Sequence, residues 1–585
     1  MSPLLTSIGV TTLAVLATAS PFPERNAPKQ PRSFLKELGP STWVLGNDLW
    51  NVTQGAQYAT KLMYKGKDRV GNAVGHYVSY NGAASDLNWT SAAIVDSGPD
   101  WLNIRFTAAE GDFHWVLHDT LPGAYQYFVN RALPTLGEFR TLWRLSNTSF
   151  PNAHTNVKDG ALPQFSEYLN ATNVQDETWQ KPDGTFLTKY DWAAFLRDQT
   201  AYGVYGPEVG SWYIHAGHEY FNGDHLKQEL MLHRESKTGD TVQLNMLHGT
   251  HYQAISRDAF ATDGSKIWGP WLWYLNDGSV RDAEVRWEKE VKEWPYKWFK
   301  DSAYQARGKV EGKLVLGDGR PAAGAAVFLG DDRNETVSTL DQGKGYYYTG
   351  YADAEGRFRF DNVRTGTYGL YAWANGGNVM EDVTTNFTHN DVSVAKGETT
   401  KLQELNWPVT EASKRIFQIG ALDRKTDGFY LADPAHPVEH ARLDKCPANL
   451  TYTVGTSSPA KDWCFAQSKL GTWSVSFSLP SSISSSSNST TPAANLILSL
   501  AGFSQGSSAD VLLNEARIGN ISSASLLNSQ DTYRGATRAG EWRRLQFEVP
   551  QGLLRQGQSN RLDVRVTKSA QWRGWLWDSL VLEVV

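Results

Sequence analysis

The sequence predicts an all-β protein built from successive β modules. Two observations carry this. Short segments rich in Val, Ile, Tyr, Trp and Thr recur between clusters of Gly, Asn, Asp and Pro, as in "FHWVLHDTLPGAYQYFVNRAL" and "GEFRTLWRLSN". That spacing belongs to antiparallel strands joined by turns. No long segment shows a helical pattern. The 585 residues suit three or four domains of ordinary size.

The β rhythm runs unbroken from residue 34 to about 300, so residues 20–302 form a first module larger than a simple sandwich. The texture then changes. "GKVEGKLVLGDGRPAAGAAVFL" gives a strand, a turn at Gly317-Asp318-Gly319 and a second strand, and further turns fall at Glu355-Gly356 and Thr365-Gly366. Residues 303–405 are thus a small fibronectin-III-like β-sandwich. Residues 406–585 hold the strands "WSVSFSLP", "LILSLAGF" and "RLDVRVTKSAQWRGWLWDSLVLEVV", and a jelly-roll, carbohydrate-binding-like module is expected there. The run "PSSISSSSNSTTPAAN" is poor in apolar residues to bury and is expected to be a mobile, glycosylated loop.

The N-terminus predicts secretion. Leu4 to Leu16 is an uncharged run followed by the small-x-small pattern Ala17-Thr18-Ala19, which reads as a signal peptide over residues 1–19. It is too short for a membrane anchor, and no later segment is long and apolar enough to span a bilayer. Nine Asn-x-Ser/Thr sequons, at Asn51, Asn88, Asn147, Asn170, Asn334, Asn386, Asn449, Asn488 and Asn520, suit a glycosylated surface. Cys446 and Cys464, the only cysteines, are expected to form one local disulfide in an oxidising compartment. The net charge of −6 gives no sign of nucleic-acid binding. Aromatics reach 12%, with 23 Trp; flat aromatic faces stack on sugar rings, which tilts the partner toward carbohydrate.

"LNMLHGTHYQ" poses the functional question: an apolar strand that ends in His248, His251 and Tyr252. Two histidines three apart lack a third ligand at familiar spacing, so no metal site is expected. Arg140 and Arg144 share one strand face, and two guanidiniums there repel unless carboxylates or an anionic ligand lie between them. Glu167, Glu177, Glu208 and Glu219 are scattered, which leaves a two-carboxylate glycoside hydrolase open.

Taken in order, "GSWYIHAGHEYFNGDHLKQELMLHR", "LNMLHGTHYQ", "IWGPWLWYLNDG", "EWPYKWF" and "ARGKVEGKLVL" resemble the landmarks of the rhamnogalacturonan lyases of polysaccharide lyase family 4. The resemblance spans most of the mature chain. It implies a β-supersandwich catalytic domain ahead of the two smaller modules. It also implies secreted endolytic cleavage of the rhamnose–galacturonate bond of rhamnogalacturonan I, in pectin, by β-elimination. The family's catalytic lysine and histidine match Lys189 in "TKYDW" and His251 in "THY"; its uronate-binding arginine matches Arg140, with Arg144 second. Tyr190, His248 and Tyr252 are the further expected substrate contacts. No cofactor is required by this chemistry; a structural calcium ion in the third module is compatible with it, although no ligand loop is readable. The chain departs from the pattern at Leu244 and Met246, where the family often has tyrosines. That keeps a non-catalytic pectin-binding protein of the same fold as the alternative.

These residue types suit the chemistry. A C5 proton beside a carboxylate is weakly acidic, so cations must offset the charge that develops as it leaves. Arginine does this bidentately. A lysine in water keeps its proton to about pH 10.4, so a lysine base needs burial or cationic neighbours. A histidine can protonate the leaving oxygen or stabilise charge, and the sequence leaves open which of Lys189 and His251 is the base. The chemistry is expected on residues 140–251 of a monomer, away from the disulfide-bearing module.

Overall fold

The computed structural model describes residues 32–82, 85–252, 259–333, 337–410, 414–479, 493–522, 526 and 529–585. The expected signal peptide, nearly all of the Ser-rich run, and Asn334 and Asn488 lie outside these residues. The seven described sequon asparagines are exposed or half-buried.

The fold is all-β. In the first module, a five-stranded meander runs from Phe34–Gly39 to Lys67–Asp68, and a nine-stranded sheet faces a four-stranded one. Trp143 of the smaller sheet stacks on Trp273 of the larger, with ring centroids 4.7 Å apart. Trp50, Trp115, Trp268 and Trp271 are buried in the same core. The aromatic richness of the first 300 residues is therefore largely spent inside. Loss of one such ring to alanine costs about 3–5 kcal/mol.

The sequence reading of no helical pattern is corrected at Val280–Glu293, a 14-residue helix on the outer face of the nine-stranded sheet. Its pattern is faint because its buried residues are few, Ala283 and the carboxylate of Glu290, which Arg286 pairs at 2.7 Å. Its signals are local: Ser279 caps it by accepting from the Asp282 N–H.

The second module packs a three-stranded sheet, centred on Arg307–Leu316, against a four-stranded sheet containing Ala326–Asp331 and Gly366–Trp373. The third packs two larger sheets around Trp463, Trp473, Trp572, Trp575 and Trp577. Cys446 and Cys464 are disulfide-bonded in this core. The modules are not independent beads. Leu422, Ile497 and Val581 of the third join the second module's core. Glu219 of the first is clamped by Arg307 and Arg364 of the second, at 2.6 and 2.7 Å. That turns one of the scattered acids into a structural ion pair.

Candidate active site

One strand pair sets the site. Phe139–Leu145 and Thr241–His248 run antiparallel, with Arg140 opposite Met246, Leu142 opposite Leu244 and Arg144 opposite Val242. Alternation sends Thr141, Trp143 and Leu145 into the core and Arg140, Leu142 and Arg144 to the other face. There, Arg140, Leu142, Arg144, Tyr77, Val242 and Leu244 line a cleft of about 150 Å³ together with Lys189, His251, His233, Glu177 and Glu235. A larger cavity of about 240 Å³, lined by Trp101, Asn103, His114 and Trp298 among others, lies over the outer face of the nine-stranded sheet and holds none of these residues.

His251 stands just past the strand end. Gly249 makes the turn, with φ of +81°; a Cβ there would sit 2.1 Å from the Gly137 carbonyl oxygen, so the glycine of "HGTH" is obligatory. Glu229, fully buried on the strand Gln228–Leu230, accepts from the His251 backbone N–H at 2.7 Å and makes a very short contact with Nδ1. Burial pushes the Glu229 carboxyl up, but His251 outweighs it and holds the group below its usual range. Nε2 of His251 is 3.4 Å from Arg140 Nη1.

Lys189 opens a one-turn 3-10 helix, Lys189–Trp192, capped by the Thr188 hydroxyl. Its ammonium lies 3.6 Å from Asp176. Burial acts to raise the Asp176 carboxyl, but Lys189, the Tyr190 hydroxyl and Arg534 together hold it below its usual range. Arg144 is paired with Glu235 at 2.9 Å, and Arg140 bonds Ser79 at 3.1 Å with Glu138 at 3.8 Å. These partners relieve the repulsion the sequence raised. The field stays positive: burial, then Lys189, Arg144, His251 and Arg140, push His233 well below the ordinary imidazole range and keep it neutral.

The structure thus gathers Lys189, His251, Arg140 and Arg144 in one cleft, and it moves three expected substrate contacts out of reach. His248 is 1% exposed and packs edge-on against Phe260. The register shifts so that Phe139 pairs His248 while Arg140 pairs Met246. Leu247 is the extra residue of this bulge, and the bulge reverses the parity that would have aimed His248 at the cleft. Tyr190 and Tyr252 are 1% and 0% exposed. They pack edge-to-face at 5.7 Å and share a cluster with Ala536 of the third module. Their rings fill an intermodule seam.

That seam corrects another expectation, that the third module stands away from the site. Arg534 donates to the His251 carbonyl and, at 2.8 Å, to Asp176. Sequence reasoning also missed Glu229 and Asp176. Glu229 lies within the quoted "LKQELMLHR", so that stretch held a signal; Asp176 and Arg534 gave none. Among the described residues, no group of three or more His, Cys, Asp or Glu is placed to hold a metal ion, and no helix is long and apolar enough to cross a membrane.

Comparison with known proteins bears on most of the chain. Residues 317–402 match the sequence model of polysaccharide lyase family 4, domain II, and residues 415–582 that of domain III. A rhamnogalacturonate lyase of Dickeya dadantii is 28% identical over 558 residues, covering 89% of this chain and 90% of the relative. A probable rhamnogalacturonate lyase B of Aspergillus niger is 25% identical, covering 60% and 54%. Among solved structures, a family 35 carbohydrate-binding module is 15% identical over 29% of this chain and 97% of its own, with a TM-score of 0.14, too low to support an argument.

Proposed function

We propose that this protein, which belongs to polysaccharide lyase family 4, is a secreted, monomeric rhamnogalacturonan endolyase that breaks the rhamnose–galacturonate bond of rhamnogalacturonan I by β-elimination. The observation that carries the reading is the meeting of Lys189, His251, Arg140 and Arg144 in one cleft. The arginines bind the uronate carboxylate and offset the charge that builds as C5 loses its proton. Neutral Lys189 takes that proton. The C5–H electron pair becomes the C4=C5 double bond, the C4–O bond breaks, and the departing oxygen takes a proton from His251. Glu229 suits His251 to this role: it accepts from the backbone N–H and contacts Nδ1, which leaves Nε2 toward Arg140 and the cleft. Leu142, Val242 and Leu244 give the cleft an apolar lining, and Leu244, like Met246, stands where the family often has a tyrosine.

The test is incubation with rhamnogalacturonan I. A lyase yields ultraviolet absorbance from the unsaturated uronate. New reducing ends without that absorbance would mark a hydrolase, and neither signal would mark a non-catalytic binding protein; either result overturns the proposal.

A further inference from the structure

The loop that follows Ser529 in the third module touches the first module where the cleft is built. The Gln530 N–H donates to the Tyr252 carbonyl at 2.8 Å, and Gln175 donates to the Tyr533 carbonyl at 2.8 Å. Arg534 lies between these anchors, its guanidinium 5.0 Å from the Tyr190 ring centre. One of its nitrogens holds the backbone carbonyl of His251, and another bonds Asp176 Oδ2. Asp176 Oδ1 faces Lys189. So a single side chain of the third module reaches the backbone of one proton-transfer residue and the counter-ion of the other.

The counter-ion matters because it works against the chemistry. A carboxylate 3.6 Å from Lys189 favours the ammonium, whereas a base must be neutral. Arg534 shares that carboxylate and neutralises part of its charge. Among the described residues, the other titratable groups around Lys189 are Glu177 beside Asp176, Arg140 and Arg144 with Glu235 on the sheet, and His251 with Glu229; His233 is neutral. Among the described residues, and apart from Lys189's own pairing, Arg534 and the Tyr190 hydroxyl bind the Asp176 carboxylate. We infer that Arg534 is a positioning residue of the cleft: it fixes the backbone of His251 and shares with Lys189 the Asp176 carboxylate that faces the base. The catalytic site is then incomplete without the third module. This rests on the lyase reading with Lys189 as base.

The experiment compares wild type with Arg534→Gln, Arg534→Lys and Arg534→Gln/Asp176→Asn on rhamnogalacturonan I, with kcat and KM measured across pH and folding checked by circular dichroism. Arg534→Gln should lower kcat about tenfold, change KM less than twofold, and move the acid limb of the rate profile upward by about half a pH unit or more. Arg534→Lys restores charge and should return the limb toward wild type without full kcat. Adding Asp176→Asn should return the limb as well. A folded Arg534→Gln with wild-type kcat and profile would overturn the inference, as would a loss of melting temperature and rate in both Arg534 variants with the limb unmoved. Absence of unsaturated product from wild type would instead overturn the lyase reading itself.

Discussion

Lys189 and His251 share a cleft but are held in different ways. The partner of His251, Glu229, is fully buried on a strand of the same module. The partner of Lys189, Asp176, has a side chain 38% exposed and is shared with an arginine 358 positions later in the chain. Magnitudes separate the two. Breaking a buried ion pair strands an uncompensated charge and costs about 3–5 kcal/mol. A half-exposed pair at 3.6 Å contributes about 0–1 kcal/mol. The ring of His251 is therefore held by the framework of the first module, and Arg534 adds a hold on its backbone. The lysine side is a balance of weak terms, set when the modules dock. A base that must shed its proton is better served by the second arrangement than by a deep, permanent counter-ion.

The largest expected effects test whether both residues act at all. Lys189→Ala and His251→Ala should each cost about 10²–10⁴-fold in kcat, the range of general acid–base catalysis, with the fold intact. Initial rates of ultraviolet product settle it, and a folded variant with wild-type turnover would remove that residue from the mechanism. Glu229→Gln sharpens the contrast. It keeps the shape but removes the buried carboxylate charge that His251 Nδ1 meets, so kcat should fall about 10- to 100-fold while Asp176→Asn, read in the same assay, changes it far less. Equal losses would erase the distinction between the two sides.

Arg140→Lys keeps the charge and loses the planar fork, so catalytic efficiency should fall about tenfold. If Arg144→Lys alone has that effect, the principal uronate contact is Arg144. Replacing Cys446 and Cys464 with serine removes a crosslink worth about 3 kcal/mol in the chain-entropy model. The third module should melt earlier, with the rate per folded molecule retained. Because that module carries Arg534, activity on heating should disappear with its unfolding, ahead of the first module; calorimetry paired with residual-activity measurements would show whether the two losses coincide.

The smallest effect concerns acid. Asp176 is held below its usual range in the folded protein. Its contribution is thus present above the unfolded value of about 4 and is lost as pH falls through the lower folded value. Protection from hydrogen exchange in residues 529–536, relative to the intrinsic rate at each pH, should fall on acidification below about pH 4, and Asp176→Asn should flatten that dependence. An unchanged slope in the variant would show that Asp176 does not hold the seam.

What the sequence alone determined is what local pattern can encode. Alternation and turn residues set the all-β architecture: the strands on either side of Gly317-Asp318-Gly319, Glu355-Gly356 and Thr365-Gly366 form where those turns place them. Alternation also put Arg140 and Arg144 on one face, and ordered motifs singled out Lys189 and His251, which meet in one cleft. Tertiary structure decided the rest. One extra residue at Leu247 reversed the direction of His248, and a bulge of this kind depends on the partner strand, which the sequence does not display. Tyr190 and Tyr252 look like sugar platforms until Ala536 covers them. Asp176 and Arg534 are an unremarkable acid and base in the chain, and become a pair only when two modules dock. The physical reason is range: hydrogen-bond period and turn geometry act over a few residues, whereas charge pairing and burial are set by whatever the fold brings within a few ångströms.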